Sequence, residues 1–364
     1  MKIHQRPSPI RSSFIDVVAT RIGYPHLQAP PNVIQRPQFI STNCFRYYTV
    51  GHQAQSSKPG ATFTKSRNIL IPSLVLASSL PIGLYLHQSA NMSSKLIPSN
   101  PSDVMVIRNI TQNVVTFSVP FSRFGILQVG GRGTVVRLTS GNLAVISPVA
   151  MTPEVKAKLA ELAGTVAYII APDFEHHIFI SEWAKEYPGA KIIGPEGLPE
   201  KRAKANDEKI GKEPFTFVYD PTKKQFNDID TDFAANFEVE YVDSHPNKEI
   251  VLFFKPEKIL IQADLMFNLP AIEQYSRVPE AAKNNGIANR LWNSIQTTNG
   301  EAKGTKRLIW YGLSAKNREG WNESMRRIDA WDFNTIIPCH GETMEGNGKE
   351  LFRKIFEWHL QGHK

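Results

Sequence analysis

From residue 104 onward, short apolar runs recur along the chain at 104–107, 114–119, 125–129, 134–138 and 143–146. The alternation is cleanest where Val115, Phe117 and Val119 interleave with Thr116 and Ser118, and a period of two with glycine-containing breaks predicts a meander of antiparallel strands. The run Gly130-Gly131-Arg132-Gly133 reads as a turn rather than a dinucleotide-binding loop, because a strand and not a helix follows it. Thr152-Pro153-Glu154 combines an N-cap, a first-position proline and a first-turn acid, so a helix is expected from there to about residue 163. The pattern then predicts a strand at 165–171, a helix at 178–187, a strand at 191–194, a helix near 200–209, and strands at 215–219 and 237–242. A hairpin follows at 249–254 and 259–262. The last third reads as helical, with a segment at 272–314 expected to act as a lid, a helix at 323–331, a short strand at 334–338 and a final helix at 349–360. Two strand-rich blocks with helices between them imply a four-layer or sandwich α/β architecture, since the hairpins are too numerous for a parallel doubly wound sheet.

Charge changes the picture at the front of the chain. Of the 364 residues, the first hundred hold ten Lys and Arg against the single acid Asp16, while the remainder is nearly balanced. The net charge of +8 therefore belongs to the leader, and the part that folds lacks the basic excess that nucleic-acid binding needs. Residues 1–67 are rich in Arg, Ser, Gln and Pro and read as a disordered, presequence-like leader addressed to mitochondria. Residues 68–86 follow with no charge between Arg67 and Lys95, long enough to cross a bilayer once as an anchor, although Pro72 and Pro81 interrupt the run. Residues 92–364 read as a self-sufficient domain, and a start at Met92 would leave it cytosolic. With Cys44 and Cys339 as the only cysteines, neither a disulfide scaffold nor a structural zinc cluster is available.

Six of the ten histidines lie outside the leader, and four of those six sit just beyond strand ends, where a rigid sheet aims side chains at one point. They are His176 and His177 in Asp173-Phe174-Glu175-His176-His177, His245 in Val242-Asp243-Ser244-His245, and His340 in Pro338-Cys339-His340-Gly341. Asp264 ends the hairpin in Ala263-Asp264-Leu265-Met266-Phe267. Imidazole and carboxylate in this combination are the ligands of zinc, iron and manganese enzymes. Each residue alone also has a plainer reading, as a helix cap, a turn residue or a packed side chain.

In order and setting these residues resemble the metallo-β-lactamase superfamily over about 104–364, which implies an αββα sandwich. More narrowly, Ala171-Pro172 to His177, Glu182-Trp183-Ala184 and Tyr187-Pro188 resemble the family called domain of unknown function 4336, from which no activity carries over. The departures are specific: Ala171, Asp173 and Glu175 replace a His, a His and an Asp of the signature, and Ser147-Pro148-Val149 replaces its Asp-Thr-Gly turn. Carried over residue by residue, the resemblance implies one divalent transition metal, zinc first and iron or manganese as alternatives, on Glu175, His176, Asp264 and His340. Asp173, His177 and His245 form a weaker second set. The function so implied is a metal-dependent hydrolase acting on a small molecule through a metal-activated water, with oxygen chemistry at a single iron as a subsidiary reading. The alternative is a membrane-tethered, non-catalytic binding or scaffold protein whose site has degenerated.

Overall fold

Adjacent apolar residues run through the strands in pairs, such as Val114 with Val115, Val135 with Val136 and Ile169 with Ile170, all buried. Successive side chains of a strand point to opposite faces, so these pairs require cover on both sides of a sheet. The computed structural model, which describes residues 100–362, supplies that cover in four layers. The expectations placed on residues 1–67 and 68–86 lie outside the described residues.

The first sheet has seven strands in the order β1-β2-β5-β6-β7-β8-β9. They are β1 (Val106–Asn109), β2 (Val114–Val119), β5 (Gly131–Arg137), β6 (Leu143–Ile146), β7 (Val166–Ile170), β8 (Lys191–Pro195) and β9 (Phe217–Tyr219). A two-stranded ribbon of β3 (Ser122–Arg123) and β4 (Leu127–Gln128) projects between β2 and β5 along the chain. The second sheet runs β10 (Phe237–Val242), β11 (Glu249–Phe254), β12 (Ile259–Gln262) and β13 (Thr335–Pro338). One face of each sheet packs on the other: Val114, Val136, Ile146 and Ile170 meet Tyr241, Leu252, Ile261 and Ile337 in a shared core. The opposite face of the first sheet lies under the helices α1 (Pro153–Leu162), α2 (Ile180–Glu186) and α3 (Leu198–Ala203), with Trp183 fully buried at that contact. The outer face of the second lies under α4 (Arg318–Ala330) and α5 (Gly348–Ile355), through Trp321, Met325 and Phe352. The arrangement is an αββα sandwich. Truncating a residue of the shared core such as Leu252 to alanine costs about 2–5 kcal/mol.

The expected antiparallel meander holds from β1 through β6, but β6 to β9 pair in parallel, as do β12 and β13. Val104 belongs to a short helix, Pro101–Val104, which Asn100 caps and Pro101 opens, so the first strand starts two residues later. The glycine run is only in part a turn: Gly130 takes φ +71°, whereas Gly131, Arg132 and Gly133 are in β5. A Cβ at Gly133 would meet the Ser147 carbonyl at 2.7 Å, so the missing side chain lets the strands close up. The helix expected near 200–209 begins earlier and stops at Ala203, because Pro199 suits its first turn. The helix Thr231–Asn236, capped by Asp230, was not expected.

Candidate metal centre

Three loops leave strand ends at one edge of the sandwich, and each is braced by buried polar groups. After β7 the chain passes through Pro172 to Asp173, whose Oδ1 accepts the backbone N–H groups of Glu175 (2.7 Å) and His176 (2.9 Å). This Asx-type turn places the His176 ring against the same carboxylate, with Nδ1 at 2.9 Å from both oxygens. After β12, Glu249 reaches across from β11 and accepts the N–H groups of Ala263 (2.8 Å) and Asp264 (2.9 Å). Asn247 Nδ2 donates to Asp264 Oδ2 at 2.6 Å, which leaves Oδ1 to point inward. After β13, His340 donates from Nδ1 to the Gly130 carbonyl at 2.7 Å. Gly341 next to it takes φ +84°, and a Cβ there would fall 2.2 Å from the Asn268 carbonyl oxygen, so only glycine passes.

These braces turn three donor atoms toward one another. His176 Nε2 lies 3.2 Å from His340 Nε2, and His340 Nε2 lies 3.1 Å from Asp264 Oδ1, which is buried and makes no hydrogen bond. The ligand atoms of His176, Asp264 and His340 all fall within 4.8 Å of one another. The partners of the two Nδ1 atoms put a proton on each, which leaves each Nε2 to take a second proton or a metal ion. Two Nε2 atoms and a carboxylate oxygen facing each other at these distances need a cation among them, either a proton on one ring or a metal ion. The donor set therefore fits a divalent metal ion: two imidazoles and one carboxylate, each held from behind.

The charges agree with that reading. Burial works against ionising Asp264, but His340 and the positive charges at His176 and Arg123 outweigh it and hold the carboxyl far below the usual carboxylate range. Burial lowers the pKa of His340, and the charges of His176 and Arg123 lower it further against the pull of Asp264, so its ring stays neutral and its lone pair available. Burial also opposes charge on His176, yet Asp173 raises it well above the ordinary histidine value. A proton on that ring occupies the place a metal ion would take.

Of the other expected ligands, Glu175 is turned away, with Oε1 at 3.2 Å from Lys201 Nζ. The structure thus places Glu175 outside the group, and the carboxylate two residues earlier, Asp173, stands behind His176 instead. His177 faces Arg202, whose guanidinium donates to its carbonyl at 2.7 Å and lies 3.3 Å from its Nδ1. His245 is buried with its ring 5.3 Å from that of Trp321; its Nδ1 accepts the Asn247 N–H, and its Nε2 is 3.9 Å from Glu249. Asp173, His177 and His245 therefore do not come together as a second set of ligands.

Several supporting residues were not foreseen. Arg132 is fully buried and donates to the carbonyls of Pro338 and Gly341, both at 2.7 Å, while its Nη2 meets Glu273 at 3.2 Å. Gln274 donates to the Cys339 carbonyl and accepts the Gly341 N–H, both at 2.9 Å. Together they clamp the loop that carries His340. The only sequence signal for Glu249 was an acid opening an otherwise apolar strand, and Arg132 was hidden in a run that reads as a turn.

His176 and His340 form part of the wall of a cavity of about 650 Å³. Its sides come from β2 and the turn after it, from the loop 147–150 that follows β6, and from the start of α2. None of the described residues at 272–314 lines it, so that segment is not a lid over this cavity. Its first turn is instead fixed to Arg132 through Glu273 and to Ser122 through the Tyr275 hydroxyl.

Solved structures of similar fold include a metallo-β-lactamase from Pontibacter korlensis, 13% identical, with 70% of this chain and 98% of that one covered at a TM-score of 0.43. VMB-1 at pH 5.5 is 15% identical with 72% and 99% covered at 0.46. The metal-soaked Flv1 flavodiiron core from Synechocystis sp. PCC6803 is 13% identical with 70% and 60% covered at 0.47. The likeness is one of fold. No curated protein matches the chain by sequence. The profile of one family, described as Domain of unknown function (DUF4336), matches residues 122–314, which is more than half of the sequence, and the chain belongs to that family.

Proposed function

We propose that the protein is a metal-dependent hydrolase with one divalent transition ion held by Nε2 of His176, Oδ1 of Asp264 and Nε2 of His340. The observation that carries this reading is the convergence of those three donors beside a cavity that His176 and His340 line, each with its other polar end already engaged. Three protein ligands with a further position open to a ligand is the pattern of catalytic rather than structural zinc. When bound, such an ion polarises a carbonyl or phosphoryl oxygen and lowers the pKa of water, which makes a separate Ser or Cys nucleophile unnecessary. The chain's own residues orient and screen: Asp173 fixes the His176 ring, Gly130 fixes the His340 tautomer, and Arg132 with Gln274 holds the loop between them. Arg123 lines the cavity, and its charge favours the ionised form of Asp264 and the neutral form of His340. Zinc suits two imidazoles and a carboxylate best, with iron or manganese next.

The test is turnover by the zinc-loaded full chain on a panel of ester, amide and phosphoester chromogens, with His340→Ala as control. Hydrolysis that disappears with the ligand supports the reading, and a zinc-loaded protein inert on every bond class overturns it in favour of a non-catalytic binding protein. The specific feature favouring that second reading is Ala171, fully buried and without a donor at the first position of the signature.

The proposal retains residues 1–67 as a mitochondrial leader and 68–86 as a membrane anchor. Among the described residues no helix is long and apolar enough to cross a membrane. A reporter fused to residues 1–91 should enter mitochondria and resist carbonate extraction; a diffuse cytosolic signal would contradict the address, and an extractable mitochondrial one the anchor.

A further inference from the structure

The helix Ile287–Ile295, in the segment that does not line the cavity, is docked wrong side out. Its inward side is polar: buried Asn289 accepts the Gln128 N–H of β4 at 2.8 Å and donates to the Asn284 carbonyl at 2.9 Å. Its outward side is apolar, with Ile287 85% exposed and Leu291, one turn on, 58% exposed. A helix that packs on a core turns such a pair inward. The ribbon beside it repeats the inversion. Ile126, between β3 and β4, is 49% exposed, and its carbonyl accepts from Asn284 Nδ2 at 2.7 Å, which ties the ribbon tip to the residues that open the helix. Single exposed apolar side chains, such as Phe226, are ordinary, whereas three on one tied pair of elements mark a binding face.

The charges around this face select its occupant. Between Ser276 and Asn299 the chain carries Arg277, Lys283 and Arg290 against one acid, Glu280, which Lys283 meets at 2.9 Å, and residues 120–128 hold no acid. Arg290 is exposed and stands on the helix between Ile287 and Leu291. A second copy meeting this face about a twofold axis would bring two basic rims together. An apolar face with a cationic rim instead matches the border between acyl chains and headgroup phosphates. The course of the chain points the same way. Val104 packs in the same apolar cluster as Leu127 of β4 and Trp292 of the helix, and residues 87–99 carry the chain at most about 45 Å from Leu86. A domain held by the anchor proposed at 68–86 thus has this face within reach of the bilayer. The face itself does not rest on that anchor.

We propose that the ribbon tip and this helix form a docking face for a phospholipid surface, with Ile126, Ile287 and Leu291 among the acyl chains and Arg290 at the phosphates. The hydrolase reading neither needs this face nor accounts for it.

The experiment places an environment-sensitive fluorophore at Leu291→Cys in the full chain carrying Cys44→Ser; Cys339 is buried, so one reactive thiol is presented. Vesicles of phosphatidylcholine and phosphatidylglycerol are then added, with and without a spin-labelled quencher lipid. The control carries the same probe at Thr222→Cys, in the exposed loop after β9 at the opposite edge of the first sheet. Emission at 291 should shift to the blue only when vesicles are present, and the quencher should reduce it at least about threefold more than at 222. Ile287→Asp, a change at an exposed side chain, should weaken quenching at 291 at least about twofold. Quenching at 291 no greater than at 222 overturns the docking face, and if the protein is nevertheless bound to the vesicles, the anchor stands alone. Blue-shifted emission without vesicles also overturns it, in favour of a second copy or another segment of this chain as the cover. Protein that stays off the vesicles overturns both the face and the anchor. A chain that Ile287→Asp releases from the vesicles keeps the face and removes the anchor.

Discussion

The two halves of the polar cluster at the sandwich edge contain the same residue types and end differently. On the cavity side, His176, Asp264 and His340 each have one polar end fixed by Asp173, Asn247 and the Gly130 carbonyl, and the other end aimed at a common point. On the inner side, Asp173 is engaged by two backbone N–H groups and an imidazole, His177 is taken by Arg202, and His245 spends Nδ1 on the Asn247 N–H while its buried Nε2 makes no hydrogen bond and lies 3.9 Å from Glu249. A histidine or carboxylate in the right order along the chain becomes a ligand only when the fold leaves one of its donor atoms unspent and within reach of the others, and His245 lies outside the group. The contrast separates ligands from supports, and each half responds differently to substitution.

The largest effects belong to the converging side. Asp264→Ala and His340→Ala should each abolish tight zinc binding in calorimetry, because each removes one of three donors; binding within about threefold of wild type in either would place the ion elsewhere. Arg132→Met should lower unfolding free energy by about 1–3 kcal/mol in denaturant titrations, since it strands the carbonyls of Pro338 and Gly341 in a buried place while Glu273 keeps Arg108 and Ser118. A loss below about 1 kcal/mol would mean that the clamp on the His340 loop is unimportant. Asp173→Asn, which keeps the shape but removes the charge behind His176, should weaken zinc by about 10–100-fold. Unchanged affinity there would erase the distinction between a bracing carboxylate and an idle one.

Acid supplies a test of the inner side. Burial, then the charges of Lys201 and Arg202, push the pKa of His177 down to about 3. His359, behind Trp321, is pushed to about 3 by burial and then Arg318. Both bind protons more readily in the unfolded chain, so the stability tied to their neutral forms is complete above about pH 6.5 and is lost as pH falls toward 3. Denaturation at pH 7, 6 and 5 should show a decline of about 1 kcal/mol per pH unit for each, and His359→Gln should make the decline shallower by about that amount; a flat profile would mean that these rings take protons without unfolding. The smallest effect is expected from Glu175→Gln and His245→Gln, which should leave zinc affinity within about threefold of wild type. A large loss in either would move that residue to the ligand side.

How much of this was legible depends on the range of the interactions involved. Strands β2, β6, β10, β11 and β12 stand where the apolar pattern put them, because a period of two with β-branched residues is a local signal. The positions of His176, Asp264 and His340 after strand ends were equally plain, since strand ends are local too. Whether Glu175 or Asp173 would face His176 was not, because the two are only two residues apart, and the Asx-type turn that decides it is tied by the Phe174 N–H to the Asn247 carbonyl, a partner far along the chain. Arg132 was out of reach altogether: its carbonyl partners lie 206 and 209 residues along the chain, and among glycines it resembles a solvated turn.

The central claim is that three side chains of this chain hold one metal ion, and the most direct measurement is the metal-to-protein ratio after purification without added metal. The account expects about one divalent transition ion per wild-type chain and close to none in His340→Ala, with both proteins folded by circular dichroism. A ratio well under one in the wild type that added zinc does not raise, or an equal ratio in His340→Ala, would contradict it.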